Sequence, residues 1–202
     1  KTALPPLAAA LVLLSAAAHV YWNLEVKRSP EPAIYGCLLI GIGALAFLPL
    51  ALWLSWPPRV PPVGWACVFG TGLIYAAYYG MIGQSYRRDD LSRAYPIARG
   101  VAPAASAVLG VLFFAERPTT WGWAGIIAVV LGVIALGLAD LLRPGARVPW
   151  AGIAAAIATG LCTAAYSVID KEGVRHVQPA LYVVLTSLLG ALTYGLLLGC
   201  RL

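Results

Sequence analysis

The stretch AIYGCLLIGIGALAFLPLALWLSW, residues 33–56, contains no charged side chain. It exceeds the roughly 20 apolar residues needed to cross about 30 Å of hydrocarbon. It is apolar on every face, so an amphipathic surface helix does not fit. A membrane β-strand would alternate over about 10 residues and then turn. Runs of the same kind lie on both sides of it. They predict seven helices: Leu4–Leu24, Ala33–Trp56, Val63–Ser85, Leu91–Ala115, Trp121–Ala139, Val148–Ile169 and Ala180–Cys200. The connections are short and rich in helix breakers, such as Ser29-Pro30-Glu31-Pro32 and Pro57-Pro58-Arg59-Val60-Pro61-Pro62.

Composition agrees. Of 202 residues, 61% are hydrophobic and 11% charged. A soluble domain carries about a quarter charged residues, and a disordered chain has the opposite bias. The net charge of +6 comes from 14 Lys+Arg against 8 Asp+Glu, scattered along the chain. No basic stripe is present to track a phosphate backbone, so nucleic acid is not expected as a partner. The expected fold class is an all-α membrane protein whose partner is the lipid bilayer.

The chain also resembles itself. His19-x-x-Trp22-Asn23-x-x-x-Lys27 aligns with Thr163-x-x-Tyr166-Ser167-x-x-x-Lys171 at an offset of 144 residues. Pro32-Ala33-Ile34-Tyr35 aligns with Pro179-Ala180-Leu181-Tyr182 at an offset of 147. Helices 1 and 2 therefore match helices 6 and 7, and the repeat unit is five helices. This divides the chain into a first unit, residues 1–145, and the start of a second, residues 146–202. An odd number of spans per unit inverts the second copy relative to the first, and a solute site is expected near the midplane where the copies meet. Completing the second unit takes on the order of 90 further residues, so the expectation is a fragment lacking helices 8 to 10.

The candidate site residues are polar or aromatic groups on spans. Helix 4 reads Leu91-Ser-Arg93-Ala-Tyr95-Pro96-Ile-Ala-Arg99-Gly100-Val-Ala-Pro103. Pro103 cannot donate to the Arg99 carbonyl, and backbone freed at this depth must line a cavity or lie against protein. Arg99 sits about 12 Å along the helix axis. It is read either as a cavity cation for a carboxylate or phosphate, or as a side chain snorkelling towards Asp89 and Asp90. On helix 1, Ser15, His19, Trp22, Asn23 and Lys27 share one face. His19 and Asn23 are read as solute contacts, with His19 also the candidate for proton exchange. The plainer reading is an interhelical contact for His19 and a belt residue in Trp22. Tyr78 on helix 3 and Tyr166 and Ser167 on helix 6 complete the expected lining. Tyr75 and Tyr79 flank Tyr78, and such aromatics are also read as packing.

Small residues at four-residue spacing on helix 3 (Gly72, Ala76, Gly80), helix 6 (Gly152, Ala156, Gly160, Ala164) and helix 5 (Ala128, Gly132) are read as packing seams. Cys37, Cys67, Cys162 and Cys200 have no metal-ligand or redox spacing, and the only histidines are His19 and His176. No metal, cofactor or catalytic residue is assigned. The leading functional class is a secondary transporter of small molecules. The alternatives are a membrane-embedded enzyme with a serine activated by His19, and a purely structural membrane protein. An enzyme of that kind would place a serine within about 3 Å of His19.

Tyr95-Pro96-Ile97-Ala98-Arg99-Gly100-Val101-Ala102-Pro103, then Phe113-Phe114-Ala115-Glu116-Arg117 and Trp123-Ala124-Gly125-Ile126-Ile127, resembles the fourth and fifth helices of EamA-like transporters of the drug/metabolite transporter superfamily. His19-x-x-Trp22-Asn23-x-x-x-Lys27 and Tyr166-Ser167-x-x-Asp170 are similar to one branch of that family. The resemblance implies ten helices in two inverted halves, alternating access, small metabolites or drugs as solutes, and a multi-pass place in a bacterial inner membrane. The family often has Gly before the Glu that ends helix 4, where this chain has Ala115. Lys and Arg lean towards the side reached after helices 1, 3 and 5, which by the positive-inside rule puts the N-terminus outside. The resemblance implies a cytoplasmic N-terminus, and the expectation follows the family.

Overall fold

A computed structural model describes residues 6–89, 91–141 and 149–199; for 91–93 and 136–141 it describes the backbone alone. Seven helices follow one another: α1 (Pro6–Arg28), α2 (Pro32–Leu54), α3 (Pro62–Arg88), α4 (Leu91–Phe114), α5 (Thr120–Leu141), α6 (Trp150–His176) and α7 (Pro179–Gly199). Six are long and apolar enough to cross a membrane, and α5 contributes a shorter apolar stretch, Thr120–Ala135.

Three helices outrun their sequence-based bounds at charged ends. α1 continues to Arg28, α3 to Arg88 and α6 to His176. Hydropathy marks where hydrocarbon ends, but the backbone ladder runs on into the headgroup zone. Basic residues in the last turns of all three helices suit the negative C-terminal ends. α2 and α3 begin with Pro in the first turn, where a missing N–H costs nothing. Pro149 is the N-cap of α6 and lies outside its first turn.

α6 lies in the groove between α3 and α4, α7 packs on α2 and α3, and α5 packs on α4. Lipid tails are as apolar as the helices they surround, so association depends on close approach and interhelical bonds. The α3 and α6 seams supply that approach. A methyl built on Gly160 would sit 2.7 Å from both the Ala98 carbonyl oxygen and Val101 Cβ. One on Gly152 would sit 2.6 Å from Asp89 Cβ, and one on Gly72 2.7 Å from Leu189. Ala156 and Ala164 are fully buried. The expected α5 seam is a correction: Gly132 has open space where a side chain would go, and Ala128 is exposed. α5 meets α4 instead through Val133 and Val129 against Gly100.

The grooves on the outer surface of the bundle are apolar. One of about 520 Å³ lies between α2 and α7, walled by residues such as Phe47, Leu50 and Val183. Another, of about 290 Å³, lies between α4 and α5.

α4 ends at Phe114, and the next residue, Ala115, has a φ of 51°, in the left-handed region. There the chain doubles back, and the Glu116 N–H donates to the Gly110 carbonyl at 3.2 Å. Glycine occupies such a position without strain, whereas a Cβ in the left-handed region costs about 1–2 kcal/mol. The departure noted at Ala115 therefore has a structural cost.

Two stability predictions follow from these contacts. Gly160→Val is expected to destabilise the purified protein by about 1–3 kcal/mol, read as a lower melting temperature, with Gly132→Val near wild type. Ala115→Gly is expected to raise stability by about 1 kcal/mol in the same assay.

Candidate functional site

Six of the seven candidate residues lie along the junctions of α1 with α3 and α4 and of α3 with α6. α1 is amphipathic only near its C-terminal end, where Asn23 and Val26 are its buried residues. His19 lies one turn before Asn23 and Trp22 three residues after His19, so all three share a face. Trp22 Nε1 donates to His19 Nδ1 at 3.2 Å, and the two rings meet edge to face at 5.4 Å. Asn23 Nδ2 donates to the His19 carbonyl at 2.7 Å, and Tyr86 of α3 donates its hydroxyl to Asn23 Oδ1 at 2.6 Å.

Arg99 crosses from α4 to this face. Its guanidinium meets His19 Nε2 and lies over the Tyr95 ring, 5.3 Å from the centroid. Both nitrogens of the imidazole thus face donors, and a neutral ring has one lone pair to offer them. Trp22 and Arg99 compete for it. Among the described residues the partners of Arg99 are an imidazole and an aromatic face. Asp90 lies outside the described residues.

Tyr78 and Tyr166 form a second patch continuous with the first. Tyr166 of α6 meets Tyr75 edge to face at 4.8 Å and Tyr78 at 6.3 Å. Tyr79 bridges Tyr78 to Tyr194 of α7 at 5.8 and 5.9 Å. Trp22, Tyr78, Tyr86 and Tyr166 belong to one hydrophobic cluster. Ser167 stands apart: its hydroxyl donates to the Thr163 carbonyl of its own helix at 2.7 Å, and no described contact joins it to Arg99 or His19. The ring of His19 has Trp22 and Arg99 as its described partners, with no serine hydrogen-bonded to it.

Lysines fasten both ends of the junction. Lys27 donates to the carbonyls of Tyr86 and Asp89, the latter at 2.7 Å, where α3 leaves carbonyls without helical partners. Lys171 pairs with Glu116 beyond the end of α4 and lies over the Phe114 ring at 4.2 Å. By chain direction the first fastening is at one membrane face and the second at the other.

Sequence reasoning missed a carboxylate. The sixth span was expected to stop at Ile169, which put Asp170 outside the membrane. α6 runs on to His176, so Asp170 lies within it. Thr71 Oγ1 donates to Asp170 Oδ1 at 2.6 Å and the Tyr182 hydroxyl to the same oxygen at 2.8 Å. The signal was present in Tyr166-Ser167-x-x-Asp170, one turn beyond Tyr166.

The EamA-like transporter family matches residues 6–138. The chain belongs to this family. It is 30% identical over 161 residues to the "Putative sugar uptake protein" of Lactiplantibacillus plantarum, covering 76% of this chain and 56% of that protein. It is 27% identical over 152 residues to "Uncharacterized transporter YwfM" of Bacillus subtilis, covering 75% of this chain and 50% of that one. A shorter match, 34% identical over 61 residues, is to "Spermidine export protein MdtI" of Klebsiella pneumoniae and covers 30% of this chain and 56% of MdtI. The chain thus spans about half the length of the longer curated relatives it matches. No solved structure gives a significant match. Family and spans together make this an integral, multi-pass membrane protein.

The Tyr86–Asn23 bond predicts a contrast between two tyrosines. Tyr86→Phe leaves the buried Asn23 oxygen without its donor and is expected to cost about 1–3 kcal/mol. The Tyr79 hydroxyl is buried with no partner among the described residues, so Tyr79→Phe is expected to be neutral or stabilising. Thermal unfolding of the two variants side by side makes the comparison.

Proposed function

We propose that the full protein is a secondary transporter of small organic solutes. It works by alternating access between two five-helix units of opposite orientation, residues 1–145 and the unit that begins at 146. Arg99 carries this reading. A guanidinium inside a span is costly unless it meets a partner or water. This one is held between α4 and α1 by His19 and Tyr95, with no carboxylate among its described partners. Its charge is left free for an anionic or strongly hydrogen-bonding group on the solute. His19, Trp22, Asn23, Tyr78 and Tyr166 line the path beside it, with Ser167 further along α6.

The inverted arrangement is supported by the two lysines. Lys27 and Lys171 match at the 144-residue offset and are tied down at opposite membrane faces, as oppositely oriented units require. The family match ends at residue 138, close to the proposed boundary. The relatives' names point to different solutes, sugars for one and spermidine for another. A polycation brought to Arg99 is repelled. Solutes bearing carboxylate, phosphate or several hydroxyl groups are therefore favoured over polyamines. The bacterial relatives favour a bacterial inner membrane as the site of action.

The test compares metabolites gained or lost by cells expressing the full-length protein, its Arg99→Ala variant, or neither. Losing one charge-assisted contact of about 1.5–3 kcal/mol should lower the transport rate about 10- to 100-fold, at equal membrane expression. Wild-type rates in Arg99→Ala remove Arg99 from the solute path.

A further inference from the structure

We propose that Asp170, clasped by Thr71 and Tyr182, is a proton-binding site separate from His19, and that a proton there frees the end of α6 from α3 and α7. Its part in a transport cycle rests on the carrier reading above; the proton binding itself does not.

The geometry carries the case. Thr71 of α3 and Tyr182 of α7 both donate to one oxygen, Asp170 Oδ1, and their own hydroxyls stand 3.1 Å apart. Tyr182 also reaches the Cys67 carbonyl at 3.4 Å. Thr71 and Tyr182 are almost wholly buried, at 0% and 1% exposure, and Gly173 packs directly against the Tyr182 ring. Three helices are thus joined through a single oxygen of a half-buried carboxylate near the end of α6. A carboxylate drawn partly out of water is costly unless it is paired.

The groups facing Asp170 are Thr71, Cys67 and Tyr75 from α3, Tyr166 from its own helix, and Tyr182 from α7. Among the described residues none of these is a cation. Lys171, next in sequence, turns away to Glu116. The charge that could neutralise this carboxylate is therefore a proton from water. Packing does not require a carboxylate here either. At the 144-residue offset the counterpart of Asp170 is Val26, which is 0% exposed and sits against Gly36. An aliphatic side chain fills the equivalent niche in the first unit.

The step is an acid–base one. A carboxylate lone pair takes a proton from water, an O–H bond forms, and nothing is oxidised or reduced. A proton on Oδ1 turns that oxygen from acceptor to donor and displaces a hydroxyl. A proton on Oδ2 leaves Oδ1 a neutral acceptor, with bonds about half as strong. Either way the clasp weakens.

Two readouts on the purified full-length protein in lipid test this without any solute. The first is the infrared C=O stretch of a protonated carboxyl group as the pH is lowered. At pH values above the range in which exposed carboxylates protonate, about 4, a band is expected to appear in wild type, to be absent in Asp170→Asn, and to persist in Thr71→Val. The second is maleimide labelling of Cys67, which is 9% exposed beside the clasp, in a background with all other cysteines replaced by Ala. Rates are normalised to N-acetylcysteine in the same tube. Labelling is expected to rise about fivefold over the pH interval in which the band appears, as a local opening exposes the thiol. In Asp170→Asn it is expected to be raised at every pH. The wild-type series stands even if that variant fails to fold. A band that survives Asp170→Asn, or labelling of wild type that does not follow the band, overturns the proposal. A protein that transports nothing while passing both tests overturns the carrier reading alone.

Discussion

Backbone contact between α6 and the α3–α4 pair is the constraint from which the other contacts follow. Lipid gives helices no hydrophobic reason to associate, so the bundle relies on surfaces that meet closely. Gly160 lies against the Ala98 carbonyl, Gly152 against the end of α3, and Gly190 of α7 against Tyr75. With α6 seated this deeply, its aromatic and acidic residues have no freedom of register. Tyr166 must fall between Tyr75 and Tyr78, and Asp170 must fall opposite Thr71. The polar junction is thus positioned by residues that carry no chemistry themselves.

Much of the architecture was legible because hydropathy and the bilayer answer to the same physics. Uncharged runs longer than the hydrocarbon thickness have no alternative to a helix. The grouping of His19, Trp22 and Asn23 was equally legible, since helical periodicity alone puts them on one face. The differences arise where side-chain polarity and backbone bonding part company. The sixth helix is expected to stop at Ile169, where an apolar run ends, whereas the helix continues to His176 while its carbonyls find amides. Gly132 and Ala128 have the spacing of a seam, but spacing does not say which neighbour is present, and here they face outward. The hydroxyl of Ser167 is bonded to its own helix, a contact that residue type alone does not reveal. Tyr86, which completes the Asn23 contact, had no distinguishing pattern at all.

The polar contacts divide by depth. At the two membrane faces lysines fasten the ends of α1 and α6, one to bare carbonyls and one to Glu116. Between them lie groups whose partners are only partly satisfying: an imidazole facing two donors, and a tyrosine hydroxyl with no partner among the described residues. Strong fastening at the rims with weaker contacts inside permits rearrangement of the middle without loss of the assembly.

Two prolines inside α4, Pro96 and Pro103, add a mechanical property to this arrangement. Each removes a rung of the hydrogen-bond ladder. They are seven residues apart, close to two full turns, so the weakened rungs fall on the same side of the rod. Flexing at one joint therefore adds to flexing at the other in a common plane, as in a folding rule with aligned pivots. The segment bearing Arg99 lies between the pivots, while Phe114 and the Glu116 anchor lie beyond the second, so the two joints separate the charge of α4 from its moorings.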